Sequence, residues 1–191
     1  MVTPPKGDYG HVPLNPEGRR VADTWNPEKD QQAGEQCKGY SAVSVVRLPG
    51  NIRLSWQDDN TLKMETEAGN QTRLFHFAAP VPGGQPSWQG SSRANWQYAV
   101  TRPGEPRKGN LRVITTQLRP GYSRRNGVPY SASAQLTEYF QINTAPDGEQ
   151  WLSIISELTD PRYYTRTWIL SSDFKKVQDG SPWKPELCSA K

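Results

Sequence analysis

Three charged side chains, Glu138, Glu157 and Arg166, have the types and spacing best suited to chemistry. Each lies in or next to a short segment that alternates apolar and polar residues, which predicts β-strands with one buried face. If tight turns centred on Pro146-Asp147 and Pro161-Arg162 join these strands, Glu157 falls opposite Arg166 and Glu138 becomes a diagonal neighbour of Glu157. The spacing therefore predicts two carboxylates and one guanidinium on one face of a sheet.

Such a cluster can transfer protons if its face is buried. Glu157 and Arg166 would then stay ionised as a pair, while burial would keep Glu138 protonated near neutral pH. A buried carboxylic acid can act as a general acid or donate a hydrogen bond to a ligand carbonyl. The alternative is an exterior ion pair that contributes under about 1 kcal/mol to stability. The opposite face also carries Leu152 and Ile154, so both alternatives stay open.

The full sequence lacks the standard catalytic and cofactor motifs. Its two histidines, His11 and His76, are too few for a His-rich metal site, and no HExxH, GxSxG, P-loop or GxGxxG motif occurs. Two cysteines cannot supply the four ligands of a structural zinc site. We therefore expect neither a metal nor a cofactor. Any turnover would be a cofactor-independent proton transfer by an isomerase, cyclase or lyase such as a hydratase.

The composition is typical of a globular protein with a polar surface. The chain has seven Trp and eight Tyr, which suit a packed core, and 17 Pro with a mean hydropathy of −0.83 indicate many loops. No apolar run approaches the roughly 20 residues of a membrane-spanning helix. The net charge is +4, but the basic residues are scattered, whereas nucleic-acid binding favours one continuous basic face. We expect a single soluble domain that binds neither membrane nor nucleic acid, and its oligomeric state stays open.

Eight alternating segments define the predicted fold. Asp, Asn, Gly or Pro residues separate almost all of them, as expected for turns between antiparallel neighbours. Eight strands are the number that a small closed barrel with room for one ligand requires. We predict an all-β, eight-stranded antiparallel up-and-down barrel over residues 51–173. The predicted strands are 51–57, 62–68, 71–78, 87–98, 110–118, 134–142, 150–158 and 164–173.

Residues 1–50 are predicted to form an N-terminal arm packed on the barrel. Asn15-Pro16-Glu17 and Asn26-Pro27-Glu28 each place an N-cap residue before a proline at the first helical position. Two short helices should therefore precede the barrel. The segment 42–48 fits either a helical turn or a strand.

The tail, 174–191, follows the barrel and carries one of the two cysteines. A disulfide between Cys37 and Cys188 would fit an oxidising compartment, and two unrelated thiols are the alternative. The first residues lack the apolar segment of a signal peptide. We expect a periplasmic or secreted protein whose leader is not part of this chain, with a cytoplasmic location as the alternative.

Aromatic side chains on the strands are expected to line the barrel interior. The long connection 119–133 could cover one mouth with its two tyrosines, as long loops often do. The candidate ligand-binding residues are Trp56, Arg73, Phe75, Trp88, Trp96, Phe140, Trp151, Trp168, Tyr122 and Tyr130.

Three functions fit this predicted interior. The first is binding of a small, largely apolar molecule with a polar head inside the barrel cavity. The second is a proton-transferring enzyme in the same cavity, with Glu138 as acid or base and Arg73 or Arg166 stabilising negative charge. The third is a structural or partner-binding protein whose barrel is filled by its own side chains.

Six stretches spread over the chain have a distinctive combination of residues. They are WQDDNTL at 56–62, QTRLFHF at 71–77, RPGY at 119–122, NGVPY at 126–130, LTEYF at 136–140 and DPRY at 160–163. Together they resemble a group of bacterial proteins that are expected to be exported and have no assigned reaction. The barrel pattern is similar to that of lipocalin-like (calycin-type) proteins. The resemblance implies a lipocalin-like fold and an exported protein, and it implies no activity.

Overall fold

A strongly curled β-sheet dominates the structure, a computed structural model that describes residues 4–78, 84–99, 102, 109–178 and 180–190. The described residues form ten strands. They are β1 Ile52–Asp58, β2 Thr61–Thr66, β3 Gln71–His76, β4 Ser91–Tyr98, β5 Gly109–Thr116, β6 Gly121–Arg124, β7 Val128–Tyr130, β8 Gln135–Thr144, β9 Gln150–Thr159 and β10 Trp168–Lys175. Strands β6 and β7 form a separate hairpin, and the other eight form the curled sheet.

The two predicted N-terminal helices are present as α1, Pro16–Asp23, and α2, Pro27–Gln32. The Asn15 side chain accepts a hydrogen bond from the Gly18 amide, and the Asn26 side chain caps α2 in the same way. Both helices begin with a proline, which has no amide hydrogen to satisfy there. Single 3₁₀ turns occur at Gln36–Tyr40, Val45–Arg47 and Ala68–Asn70. The ambiguous segment 42–48 therefore contains a helical turn and no strand.

The sheet is mixed and open, so the prediction of an all-β fold is confirmed but that of a closed antiparallel barrel is wrong. Its order is β1-β2-β3-β4-β5-β8-β9-β10, and among the described residues β1 and β10 are edge strands with one neighbour each. Strands β3 and β4 pair in parallel, with Phe75 opposite Ser92. The connection 77–90 is long enough for the crossover of a dozen or more residues that parallel neighbours require. The result is a half-barrel.

Residues 40–48, which precede β1 and which we call the core segment, pack against the concave side of the half-barrel. Tyr40, Val45 and Val46 are buried in one core cluster with the inward side chains of six strands. The Arg47 guanidinium lies 5.1 Å from the ring centroid of Trp168 on the edge strand β10. The chain then enters the other edge strand, β1, at Ile52. The segment thus contacts β10 through Arg47 and leads directly into β1, and among the described residues these two edge strands do not pair with each other.

The turn between β2 and β3 shifts the predicted register by two residues. A tight turn at Gly69-Asn70 would place Thr66 opposite Arg73, whereas Met64 lies there. Gly69 adopts a φ of 69°, and a Cβ built there would lie 2.4 Å from the Tyr40 ring, so only glycine fits. A shift of two residues leaves every side chain on its predicted face.

The two C-terminal hairpins depart from the predicted register, and the departure moves side chains to the opposite face of the sheet. Gly148, with a φ of 86°, adds a third residue to the loop between β8 and β9, so that Glu138 lies opposite Ser156. The loop before β10 is also longer than predicted, and Glu157 lies opposite Ile169. Because side chains alternate with a period of two, the slip of one residue turns Glu157 to the opposite face from Glu138.

Candidate functional site

The concave face of the sheet has two ends with different surroundings. We call the end that contains Arg73 and Glu138 the closed end, because both side chains are almost fully buried, at 1% and 0% exposure. We call the end where β1, β4 and β8 finish the open end. There Trp56 and Trp96 are 53% and 46% exposed.

A bidentate salt bridge joins Arg73 and Glu138 at the closed end. Arg73 Nη1 donates to Glu138 Oε1 at 3.0 Å, and Nη2 donates both to Oε2 and, at 3.2 Å, to Thr115 Oγ1. The Ser92 and Thr115 hydroxyl oxygens are 2.8 Å apart. The Arg73 guanidinium also lies 5.0 Å from the centroid of the Phe75 ring. The four polar side chains form one hydrogen-bonded network sealed from water.

The predicted cluster of Glu138, Glu157 and Arg166 does not form. Glu157 lies on the convex face between Thr137 and Ile169 and is only partly buried. Arg166 is exposed and precedes β10. The predicted Glu157–Arg166 pairing is therefore wrong because the last two hairpin loops are longer than tight turns. The guanidinium beside Glu138 belongs to Arg73, 65 residues away in sequence.

A second arginine, Arg47, lies close to this network. Its guanidinium donates to the Ser123 carbonyl oxygen and covers the Trp168 ring. Burial lowers the pKa of Arg47 to about 10, against the opposing attraction of Tyr164 and Glu138. Burial also raises the pKa of the Tyr164 hydroxyl, whose oxygen is 2.6 Å from Ser123 Oγ. At neutral pH Arg47 is thus a cation and Tyr164 is neutral.

Three aromatic rings stand side by side at the open end, and we call them the aromatic row: Trp56, Phe77 and Trp96. The ring centroids of Trp56 and Phe77 are 5.3 Å apart, and those of Phe77 and Trp96 are 5.8 Å apart. Trp56 pairs with the buried Leu62 and Trp96 with the buried Leu111, so both indoles project from the concave face. Neighbouring rings at these separations attract each other.

The aromatic row lies beside both a buried aromatic pair and further exposed apolar residues. The rings of Phe75 and Phe140, from the same face, are 5.4 Å apart. Ile142, which follows Phe140 on that face of β8, is 72% exposed, and Leu54 on β1 is 37% exposed. A shallow depression lined by Gln57, Asp58 and Asp59 opens beside Trp56. The open end thus combines ring faces, aliphatic side chains and polar rim groups.

The other predicted ligand-binding tryptophans lie away from the aromatic row. Trp88 precedes β4, with the Arg119 guanidinium 4.5 Å from its ring. Trp151 pairs with Asn143 and is partly buried on the convex face. Trp168 is buried at the closed end and stacks on Tyr164, with ring centroids 6.1 Å apart.

The two tyrosines of the connection 119–133 are held in the β6–β7 hairpin. Tyr130 is 1% exposed in a core cluster with residues of the arm, and burial raises the pKa of its hydroxyl. The Tyr122 hydroxyl donates to Asp30 Oδ2 at 2.8 Å, and burial raises its pKa too. The hairpin therefore packs against the N-terminal elements, whereas the sequence predicted a cover over one mouth of the barrel.

The predicted disulfide is confirmed between Cys37 and Cys188. It joins the 3₁₀ turn at Gln36–Tyr40 to the C-terminal tail, and both cysteines are partly buried. The tail is therefore covalently attached to the segment that leads into the core.

Sequence reasoning missed Phe77 in the aromatic row, and Ser92 and Thr115 in the buried network. Phe77 lies in the predicted strand 71–78 and shares the alternation of Arg73 and Phe75, so that pattern places it on the same face as these two candidate residues. Ser92 and Thr115 carried no comparable signal, because each is a small polar residue whose partner comes from another strand.

Within the described ranges, no three His, Cys, Asp or Glu side chains approach closely enough to hold a metal ion. None of the helices formed by these residues is long and apolar enough to cross a membrane. No family model, curated protein or solved structure matches the chain.

Proposed function

We propose that this protein binds a small, largely apolar molecule with a polar head, and that the aromatic row is its site. The observation that carries the proposal is the exposure of Trp56 and Trp96, about half each, on the concave face of the sheet. An exposed group of large apolar side chains often marks a place where a ligand or partner binds. The site differs from the enclosed barrel cavity expected from the sequence, because the core segment fills the closed end.

The size of the row determines what kind of molecule gains from binding. The exposed half of an indole is on the order of 100 Å², which corresponds to about 2.5 kcal/mol of transfer free energy. Association itself costs at least several kcal/mol. A ligand must therefore cover both Trp56 and Trp96, which flank Phe77 at 5.3 and 5.8 Å. An elongated apolar body that is long enough to reach both indoles across Phe77 meets this requirement.

The rim beside Trp56 supplies groups for a polar head. Asp58 Oδ1 already accepts a hydrogen bond from the Asn60 amide at 2.8 Å. Gln57 and Asp59 are exposed at the same depression. Carboxylate and amide oxygens accept hydrogen bonds, so a head that donates hydrogen bonds, such as an amine or a hydroxyl, is favoured.

The enzyme alternative receives no support from the position of Glu138. Its carboxylate is fully buried, and both oxygens accept hydrogen bonds from Arg73. A structural or partner-binding protein is a second candidate, favoured by the filled interior around Tyr40 and Val45. The two remaining candidates differ in whether the open end takes a small molecule.

A binding measurement with a neutral fluorescent probe tests the proposal. N-phenyl-1-naphthylamine has an extended aromatic body and an N–H donor, and its emission rises in apolar surroundings. We expect saturable binding to the wild type and at least tenfold weaker binding to Trp56→Ala and Trp96→Ala. Trp151→Ala is the matched control, since this indole lies on the convex face, and it should bind like the wild type.

Native mass spectrometry after exposure to a mixed extract of hydrophobic metabolites extends this test to natural ligands. A compound retained by the wild type and lost in the Trp56→Ala/Trp96→Ala variant supports the proposal. Equal retention by both proteins would contradict the site. Absence of any adduct, together with no probe binding, would favour the structural or partner-binding candidate.

A further inference from the structure

The C-terminal tail connects the two open edges of the half-barrel. It leaves the edge strand β10 at Lys175. Eight residues later, the Arg53 guanidinium of the other edge strand, β1, lies 4.5 Å from the centroid of the Trp183 ring. Since β1 and β10 do not pair with each other among the described residues, the tail is a link between them that does not depend on the sheet.

Glu67 holds the tail next to the start of β1. One of its carboxylate oxygens, Oε2, accepts hydrogen bonds from the Asn51 backbone and side-chain nitrogens at 2.8 and 2.9 Å. The other, Oε1, accepts a hydrogen bond from the Lys184 amide at 2.7 Å. The backbone carbonyl of Glu67 accepts one from the Glu186 amide at 2.8 Å. A single buried side chain therefore joins the end of β2, the start of β1 and the tail.

The end of the tail is anchored on the segment that fills the core. Cys188 forms the disulfide with Cys37 and packs against the core cluster that contains Tyr40. The Ser189 amide donates to the Tyr40 hydroxyl at 3.3 Å, and Arg125 donates to the Ser189 carbonyl oxygen at 3.3 Å. The disulfide thus attaches the end of the tail, which begins at β10, to the segment that packs in the interior.

Most residues of the described tail from 180 to 190 are exposed to solvent. Leu187 is 82% exposed, so it buries little apolar surface. The two long hydrogen bonds of Ser189 are weaker than those at the preferred distance. A segment with few buried apolar contacts opens locally at a small cost. The covalent bond at Cys188 therefore decides whether the end of the tail stays in place.

We propose that residues 183–190 are a strap that a dithiol reductant releases by reducing the Cys37–Cys188 disulfide, and that release widens access to the concave face from the gap between β1 and β10. A reductant thiolate attacks one cysteine sulfur and forms a mixed disulfide. The second reductant thiol then displaces the cysteine. The products are two cysteine thiols and the cyclic disulfide of the reductant, a transfer of two electrons. That the strap regulates ligand binding rests on the proposed function.

The release is measured by amide hydrogen exchange in the oxidised protein and in the same protein reduced with dithiothreitol. The amides of Lys184 and Glu186 are the reporters because they donate to Glu67. We expect their exchange to accelerate at least tenfold on reduction. The amides of Phe140 and Ile154, paired in the centre of the sheet, are the control and should change less than twofold. Unchanged exchange at Lys184 and Glu186 would overturn the proposal.

Two variants separate release of the strap from general unfolding. Cys37→Ser/Cys188→Ser should match the reduced wild type and should not respond to dithiothreitol. If that variant does not fold, Glu67→Gln can be measured in the oxidised state, where it keeps the disulfide and weakens only the hydrogen bonds to the residue 67 side chain. The amides of Lys184 and Glu186 should then exchange faster than in the oxidised wild type and more slowly than in the reduced wild type. Acceleration at the control amides equal to that at the reporters would mean unfolding and would overturn the strap.

Ligand access is tested on the same samples with N-phenyl-1-naphthylamine. We expect the reduced wild type to bind the probe at least threefold more tightly or faster than the oxidised protein. Faster amide exchange with unchanged probe binding would overturn the regulatory role of the strap. The proposed function is judged separately, by whether Trp56→Ala weakens probe binding in the oxidised protein.

Discussion

The closed and open ends of the same concave face reverse the usual distribution of side chains. The closed end buries an arginine and a glutamate at 1% and 0% exposure, while the open end leaves two tryptophans about half exposed. Both ends are built from the same alternating strands, so alternation does not explain the difference. The core segment packs onto the concave face but leaves Trp56 and Trp96 at the open end about half exposed, so one end is a packed interior and the other a surface.

The two ends should also differ in which property a substitution changes: stability at the closed end and binding at the open end. Removing one partner of a buried ion pair leaves an uncompensated charge, and such a change acts on stability. Truncating an exposed ring removes surface that is in contact with water, and it acts mainly on whatever binds there. The comparison therefore predicts that substitutions at the two ends have effects of different kind and size.

The largest effect is expected from Arg73→Met at the closed end. Glu138 would be left in a buried site without its bidentate partner, and the free energy of unfolding should fall by about 3–5 kcal/mol. Urea denaturation at pH 7 measures the loss. The double variant Arg73→Met/Glu138→Leu should recover most of it, because replacing both charges removes the desolvation cost. A single-variant loss under about 1 kcal/mol would mean that the closed end is open to water.

A smaller effect is expected from acid at Glu67. Hydrogen bonds from the amides of Asn51 and Lys184 lower the pKa of its carboxyl below the ordinary value of 4.5. A carboxyl with a lowered folded-state pKa contributes stability that is complete above about pH 4.5 and is lost as pH falls through the folded-state pKa.

Urea denaturation between pH 3 and pH 7 measures this contribution. Glu67→Gln should lose about 1 kcal/mol at pH 7, the cost of weakening hydrogen bonds to a charged acceptor. The difference between Glu67→Gln and the wild type should shrink toward acid pH. A constant difference across this range would show that ionisation of Glu67 does not contribute.

At the open end, Trp56→Ala should cost less stability than Arg73→Met, because about half of the indole is already in water. The same change should weaken binding of N-phenyl-1-naphthylamine at least tenfold. Urea denaturation and a fluorescence titration on the same sample give both values. A stability loss as large as that of Arg73→Met would remove the distinction between the two ends.

The smallest effect is expected on the convex face. Ile155 is 40% exposed, and Ile155→Ser should change the free energy of unfolding by no more than about 0.5 kcal/mol. Probe binding should stay at the wild-type value. A clear loss of probe binding would mean that the convex face, and not the aromatic row, holds the probe.

The element pattern was predictable because it depends on local chemistry. Alternation located all eight strands of the sheet, and the Asn-Pro-Glu motifs located both helices. Register was less predictable. Counting back from Pro146-Asp147 assumed a two-residue loop, whereas Gly148 in a left-handed conformation adds a third residue. That one residue moved Glu157 to the convex face and removed the predicted cluster.

Neighbouring residues and composition define which segments become strands, where the two helices begin and which two cysteines are available to pair. The pairing of Arg73 with Glu138 and the open sheet follow only from the folded chain. Both outcomes depend on contacts between residues far apart in the chain, through the parallel pairing of β3 with β4 and the filling of the interior by Tyr40, Val45 and Val46. A local pattern carries no information about which distant segment will occupy the space beside it.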